Sequence, residues 1–156
     1  MKKYLCLFVL CLFSFCFGIV FAEDNLIAQM TAVKVGNLTF QLPAGFVKEP
    51  YLGYKRQSSD AYNIEYINIQ AFPKDPNWSD EQVRDYLKKV ASDTGRQTEE
   101  ININGKNILI EKSVAGVSAQ FCENGMLYMI MYTYMNRDMD YNIAKSFVMN
   151  LIRTAR

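Results

Sequence analysis

Residues 126–135 read MLYMIMYTYM, and this stretch decides the fold of the chain. In a β-strand the side chains alternate between two faces, so the even positions from Met126 to Tyr134 share one face and the odd positions from Leu127 to Met135 share the other. Apart from Thr133, every side chain on either face is apolar or aromatic. A strand of this kind belongs in the middle of a sheet that is covered on both sides.

Turn signals separate this stretch from other runs that are rich in β-branched and aromatic residues. Gly36-Asn37, Asn104-Gly105 and Asn124-Gly125 accept the positive φ angles of two-residue hairpin turns, and Ser58-Ser59-Asp60 marks a further turn. The sequence therefore predicts a largely antiparallel sheet. Its expected strands are 30–35, 38–42, 51–57, 62–72, 100–103, 107–113, 118–122 and 126–135.

An amphipathic helix is expected between the fourth and fifth of these strands. Ser79 and Gln82 have the spacing of a capping box, and Trp78 and Val83 occupy the positions of a hydrophobic staple. The apolar positions then recur at helical spacing as far as Gly95, where the helix is expected to end.

A second amphipathic helix is expected at the end of the chain. It begins near Asp140, places Ile143 and Phe147 on its apolar face, and ends near Arg153, a cation suited to the negative end of the helix dipole. Together these elements predict an α+β fold with three layers: a helix, a largely antiparallel central sheet of about six strands, and a second helix. A single domain is expected over residues 23–156.

The first 22 residues have the composition of a signal peptide. Lys2 and Lys3 precede a long apolar run, and Val20-Phe21-Ala22 places compact residues where a signal peptidase reads them. Acidic residues follow directly, without the basic cluster of a retained membrane anchor. The protein is therefore expected to be periplasmic or secreted, and to meet a membrane only through the uncleaved signal segment.

Removal of this segment changes both the cysteine count and the charge. Of the four cysteines only Cys122 remains, so burial or an intermolecular disulfide are the two alternatives for its thiol. Loss of Lys2 and Lys3 leaves 15 Lys plus Arg against 16 Asp plus Glu. This balance offers no electrostatic footprint for nucleic acid or for an anionic membrane surface.

The chain contains no histidine, and this excludes several chemistries. Ser/His/Asp and Cys/His catalysis and imidazole-bound zinc or copper all require that side chain. No cofactor-binding motif is present, so neither an enzymatic activity nor a cofactor is expected. The remaining catalytic alternative is an enzyme that uses Cys122 or carboxylates. The carboxylates considered are Glu99, Glu100, Glu111 and Glu123.

Two segments bear a partial resemblance to metal sites. Five methionines between Met126 and Met139 offer thioether ligands for Cu(I), but strand alternation splits them between two faces, and core filling explains them equally well. Residues 138–142 begin like a calcium loop, but Ile143 stands where glycine is needed. Helix capping by Asp138 or Asp140 is the better interpretation, and no metal site is expected.

Five side chains are candidates for contact with a partner. Tyr51, Tyr54, Lys55 and Arg56 combine aromatic and cationic groups after a proline-bounded loop, and Trp78 is the single tryptophan. Each also has a purely structural interpretation, because tyrosines often point outward from edge strands and Trp78 fits the hydrophobic staple.

The order of elements resembles that of the PsbP-like family, which includes photosystem extrinsic proteins, a Ran-binding import factor and periplasmic proteins of the DcrB type. The resemblance rests on residues 38–46, LTFQLPAGF, on a strand that ends in a proline turn before a helix, and on a long meander with a closing helix. Phe46 stands where such segments often have tryptophan. The resemblance implies a non-catalytic binding or assembly module, and no family site residue matches this chain.

These observations lead to two functional expectations. The first is an exported, non-enzymatic module that binds another envelope or secreted protein. The alternative is a carrier of a small apolar ligand, which requires a cavity between sheet and helix. The oligomeric state stays open, because a face of strand 126–135 that no helix covers would have to be covered by another subunit.

Overall fold

The computed structural model of the protein describes residues 30–57, 63–135 and 139–156. The α+β class and the antiparallel sheet are confirmed. The predicted signal peptide, the turn at 58–60 and Asp138 lie outside the described residues. The elements in chain order are β1 (Thr31–Val35), β2 (Leu38–Leu42), β3 (Val47–Glu49), β4 (Gly53–Gln57), β5 (Ile64–Pro73), α1 (Asp80–Asp93), β6 (Gln97–Ile103), β7 (Lys106–Ser113), β8 (Gly116–Glu123), β9 (Met126–Met135) and α2 (Tyr141–Thr154).

The main sheet has seven strands in the order β3-β4-β5-β9-β8-β7-β6, and β1 and β2 pair separately as a hairpin. All neighbouring strands are antiparallel. The expected count of about six strands is therefore wrong by one. The additional strand is β3, a three-residue edge strand that pairs Val47 with Lys55 inside a segment expected to be loop.

The three hairpin turns lie where the sequence places them. Asn104 and Asn124 have φ angles of 53° and 50°, and Gly36 has a φ of 58°. Asparagine and glycine tolerate this left-handed conformation better than other residues do, which is why these pairs fix the register of their hairpins.

Both helices begin with the caps expected from the sequence. Ser79 Oγ accepts a hydrogen bond from the Gln82 backbone at 3.1 Å, and Gln82 Oε1 accepts one from the Ser79 backbone at 2.7 Å. Asp140 caps α2 through a 2.9 Å hydrogen bond from the Ile143 backbone. Within the described residues no helix is long and apolar enough to span a membrane.

The face of the sheet that carries the even-numbered residues of β9 is closed. Tyr128, Ile130 and Tyr132 are all buried there, under α2 and the β1–β2 hairpin. The Phe147 ring stacks on the Tyr132 ring with 4.5 Å between centroids. We call this the closed face.

Two consecutive glutamates show that the helices lie on opposite faces. Glu99 is paired with Ile110 in the sheet and accepts hydrogen bonds from α2, whereas Glu100 is paired with Leu109 and forms an ion pair with α1. The donors on α2 are Tyr141 and Lys145, and Arg84 Nε on α1 lies 3.0 Å from Glu100 Oε2.

The expectation that β9 is covered on both faces is wrong for part of the strand. The main contacts of α1 are with β6, β7 and β8, so this helix does not extend over β4 and β5. Consequently Met131 is 49% exposed and Met135 is 61% exposed. The residues on either side of Met131 in the sequence, Ile130 and Tyr132, point to the closed face and are buried. Helix α1 thus lies along β6, β7 and β8 and leaves the other half of this face without a helix among the described residues.

Candidate functional site

The structure divides the four neighbouring candidates of the sequence, Tyr51, Tyr54, Lys55 and Arg56, between the two faces. Lys55 is paired with Val47 and Tyr66 and lies on the face opposite the closed face, whereas Tyr54 and Arg56 point to the closed face. Strand alternation is the reason, because adjacent residues of β4 cannot share a face. The four side chains therefore do not form one patch.

Arg56 has a structural role on the closed face. Its guanidinium lies 2.5 Å from a carboxylate oxygen of Glu65, which is buried, and its Cζ lies 4.7 Å from the centre of the Phe46 ring. Tyr54 packs against the same core. Both side chains are explained by packing on this face.

Trp78 lies apart from the other candidates. Its ring meets the Tyr86 ring edge to face at 5.5 Å, and it borders a shallow depression together with Pro73, Val83 and Leu127. The predicted staple with Val83 is thus supplemented by an aromatic contact on α1. Trp78 remains partly exposed.

The first candidate site is the uncovered part of the sheet, opposite the closed face. We call it the open half-face. A depression of about 270 Å³ lies at its centre, between the β3–β4 turn and β9. Tyr51 is fully exposed at its rim and has a φ of 70°, a conformation that few tyrosines adopt. The side chains of the open half-face are Val47, Tyr51, Leu52, Lys55, Ile64, Tyr66, Asn68, Met131, Thr133 and Met135.

Charged side chains are few on the open half-face, although strand alternation also places Glu49 and the exposed Gln57 on it. Lys55 is its one ionisable cation, and the Lys55 ammonium lies 6.0 Å from the centre of the Tyr66 ring. Sequence analysis found Tyr51 and Lys55 but missed Leu52, Tyr66 and Met131. Strand alternation placed Met131 on the odd-numbered face of β9, which was expected to be covered. Met131 is exposed because α1 does not extend over this part of the face.

The second candidate site is a cleft of about 270 Å³ between α1 and the end of the sheet, which we call the α1 cleft. It lies between the sheet and a helix, where the carrier alternative expects a cavity. One wall is apolar and the mouth is polar. The lining residues are Asp80, Val83, Arg84, Leu87, Asn104, Gly105, Lys106, Asn107, Leu109, Gln120, Phe121, Cys122, Glu123 and Leu127.

The charged groups of the α1 cleft are held in ion pairs, whereas the amide of Gln120 is satisfied at one end only. Lys106 Nζ lies 2.9 Å from Glu123 Oε2, an ion pair without the angles of a hydrogen bond. Gln120 is only 6% exposed, and its amide nitrogen donates to Ser118 Oγ at 3.3 Å. Gln120 Oε1 has no hydrogen-bond donor among residues 30–57, 63–135 and 139–156.

Cys122 also lines the α1 cleft. Its side chain is half-buried. Burial raises the pKa of its thiol, and the Asp80 carboxylate raises it further. The thiol therefore stays protonated near neutral pH, whereas a nucleophilic cysteine needs a lowered pKa.

The carboxylates considered for catalysis take part in ion pairs. Hydrogen bonds from Lys145 and Tyr141 hold the pKa of Glu99 below its usual range. Glu111 Oε1 lies 2.7 Å from an Arg96 nitrogen. No group of three or more His, Cys, Asp or Glu side chains with metal-binding spacing occurs in the part of the chain that the structure describes.

No protein-family model and no curated protein matches this chain.

Proposed function

We propose that this protein is an exported, non-enzymatic module that binds another envelope or secreted protein through the open half-face. The observation that carries the proposal is the exposure of Met131 and Met135 on β9, the central strand of the sheet. Contiguous apolar surface of this kind usually marks a binding site in a soluble protein. In this proposal the partner provides the missing half of the third layer and completes a helix, sheet, helix sandwich.

Two features of the sequence support the setting of this function. Residues 1–22 have the pattern of a signal peptide, which favours a periplasmic or secreted location. Residues 38–46 resemble the PsbP-like family, and this resemblance implies a non-catalytic binding or assembly module. The chain lacks histidine, so a catalytic role would have to rely on other groups.

The chemistry of the open half-face indicates what the partner presents. Most of its exposed side chains are apolar or aromatic, and Lys55, its one cation among the described residues, lies near an aromatic ring. A strongly charged partner would lose hydration here and find few counter-charges. We therefore expect a protein surface that is uncharged and apolar at its centre, with a polar rim.

A site-specific crosslink tests this proposal. p-Benzoylphenylalanine in place of Met131 should give one discrete adduct with a different protein upon irradiation of cells. The same group in place of Val114, which is fully exposed in the β7–β8 turn, should not give that adduct. A second substitution, Met135→Lys, should abolish the adduct because it places a charge in the contact.

Three outcomes would contradict the proposal. These are no adduct at position 131, the same adducts at positions 131 and 114, or an adduct that Met135→Lys leaves unchanged. An adduct with twice the mass of the chain would identify a second copy as the occupant, and would replace the heterologous partner by a homodimer.

A second candidate function is favoured by the α1 cleft, namely a carrier of a small ligand. Native mass spectrometry of the protein isolated under mild conditions should then show a bound small molecule. Leu87→Trp fills the cleft from α1 and should remove the added mass, and Val114→Trp should leave it unchanged. A protein that is always bare would contradict the carrier function.

A further inference from the structure

Three buried polar atoms of the residues that line the α1 cleft lack a hydrogen bond within the described chain: Arg84 Nε and Glu123 Oε2 are held in ion pairs, whereas Gln120 Oε1 is not. Gln120 lies on β8, where its sheet neighbours are Leu109 and Met129, and its side chain is 6% exposed. Its amide nitrogen is used by Ser118, but no donor of the described residues reaches Oε1. A buried carbonyl oxygen without a donor costs stability, so such a group in a cleft is expected to meet a donor from outside the chain.

The charges that line the cleft are already neutralised. Lys106 pairs with Glu123 at 2.9 Å. Asp80 lies 2.5 Å from Lys74, and Arg84 lies 3.0 Å from Glu100. A charged ligand would have to break one of these pairs or enter without a counter-ion, and both are unfavourable. The ligand is therefore expected to be neutral.

The size and the apolar wall of the cleft define the rest of the ligand. Leu87 on α1 faces Leu109 and Leu127 on the sheet across a space of about 270 Å³. An apolar cavity of about 150 Å³ is enough to bind benzene. A ring with a short substituent, or a chain of similar size, therefore has room in the α1 cleft.

We propose that the α1 cleft binds a small neutral molecule with an apolar body and one hydrogen-bond donor. The donor pairs with Gln120 Oε1, and the apolar body packs against Leu87, Leu109 and Leu127. This inference rests on the carrier function proposed above and adds the chemical class of the ligand. Gln120 is the specificity-determining residue, and the leucines contribute affinity to any apolar molecule of this size.

The test uses two probes, 4-propylphenol and its methyl ether, in which a methyl group replaces the donor hydrogen. Their dissociation constants are measured by NMR titration of the whole protein. A single hydrogen bond to a buried acceptor predicts that the phenol binds about three- to tenfold more tightly than the ether. Occupation of the cleft is checked by the rate of iodoacetamide modification of the Cys122 peptide, which both probes should slow.

Matched variants assign the preference to one atom. Gln120→Met keeps the length of the side chain but removes the acceptor, so the two probes should bind within about twofold of each other. Gln70→Met removes an exposed glutamine from the same face of the sheet and should leave the preference unchanged. Leu87→Trp should abolish the binding of both probes.

The possible results distinguish failure of this inference from failure of the carrier function. Equal binding of phenol and ether to the unmodified protein overturns the donor requirement but leaves the carrier function in place. A preference that persists in Gln120→Met overturns the role of Gln120. If neither probe binds or protects Cys122, both the inference and the carrier function fail. If Gln120→Met does not fold, the relative affinity of the two probes for the unmodified protein still tests the donor requirement.

Discussion

Ile130 and Met131 are adjacent on β9, but their side chains have different surroundings. Ile130 lies on the closed face and is fully buried under α2 and the β1–β2 hairpin, whereas Met131 lies on the open half-face and is 49% exposed. Both residues belong to the same apolar run. An apolar pattern therefore favours burial of a side chain, but it does not show whether another part of the chain covers it.

The two helices explain the difference between the faces. α2 contacts β2, β6, β8 and β9, so it extends across the centre of its face. The main contacts of α1 are limited to β6, β7 and β8. Consequently one face of β9 is completed by the chain itself, and we propose that the other is completed by a partner.

The first prediction compares the stability that a side chain contributes on each face of β9. Ile130→Ala should lower the free energy of unfolding by about 2–5 kcal/mol, because it leaves a cavity in a fully buried site. Met131→Ala should change it by less than about 1 kcal/mol, because Met131 is half exposed in the isolated chain. Denaturant unfolding of both variants measures the difference. Equal losses would contradict the assignment of an open and a closed face.

The N-caps of the two helices allow the two faces to be compared through smaller losses of stability. Ser79→Ala and Asp140→Ala each remove one capping interaction and should each cost about 1 kcal/mol. Only Ser79→Ala frays the end of α1 that lines the α1 cleft, so it should also speed the alkylation of Cys122. Similar alkylation rates in the two variants would show that the cleft does not depend on α1.

The smallest effect concerns the ion pair that ties α2 to the closed face. The pKa of Glu99 is lowered in the folded protein by hydrogen bonds from Lys145 and Tyr141, so its ordinary value of 4.5 applies only to the unfolded chain. A lowered folded-state pKa adds stability above this value, and the contribution is lost as the pH falls through the folded-state pKa. Glu99→Gln should therefore destabilise the protein near pH 7 and have no effect in strong acid.

The magnitude of this effect is limited by solvent, because the Glu99 side chain is 40% exposed. We expect about 0.5 kcal/mol or less. Thermal unfolding of the two proteins across the acid range measures it. A difference that grows as the pH falls would contradict the direction of the pKa shift.

Local signals account for most of the elements that the sequence predicted correctly. Ser79 with Gln82, and Asn104-Gly105, specify a helix cap and a turn through contacts between near neighbours. The expected strand 126–135 matches β9 at both ends. β3 was missed because three residues at a sheet edge, Val47–Glu49, carry too short a pattern to be distinguished from a loop.

The candidate sites depend on long-range packing and were predicted less well. Tyr51 and Lys55 were found, but Tyr54 and Arg56 point to the opposite face because of strand alternation. Gln120 gave no signal, since an isolated glutamine in a strand is usually exposed. Its burial depends on where α1 packs, and this position cannot be read from the residues near Gln120.

The most direct test of the account is the oxidation of individual methionines by peroxide in the purified, monomeric protein. Met131 and Met135 are exposed, so they should form sulfoxide several-fold faster than the half-buried Met126 and Met129. Addition of the crosslinked partner should protect Met131 and Met135 and leave the exposed Met30 reactive. Protection of Met131 and Met135 in the isolated monomer would contradict the existence of an open half-face.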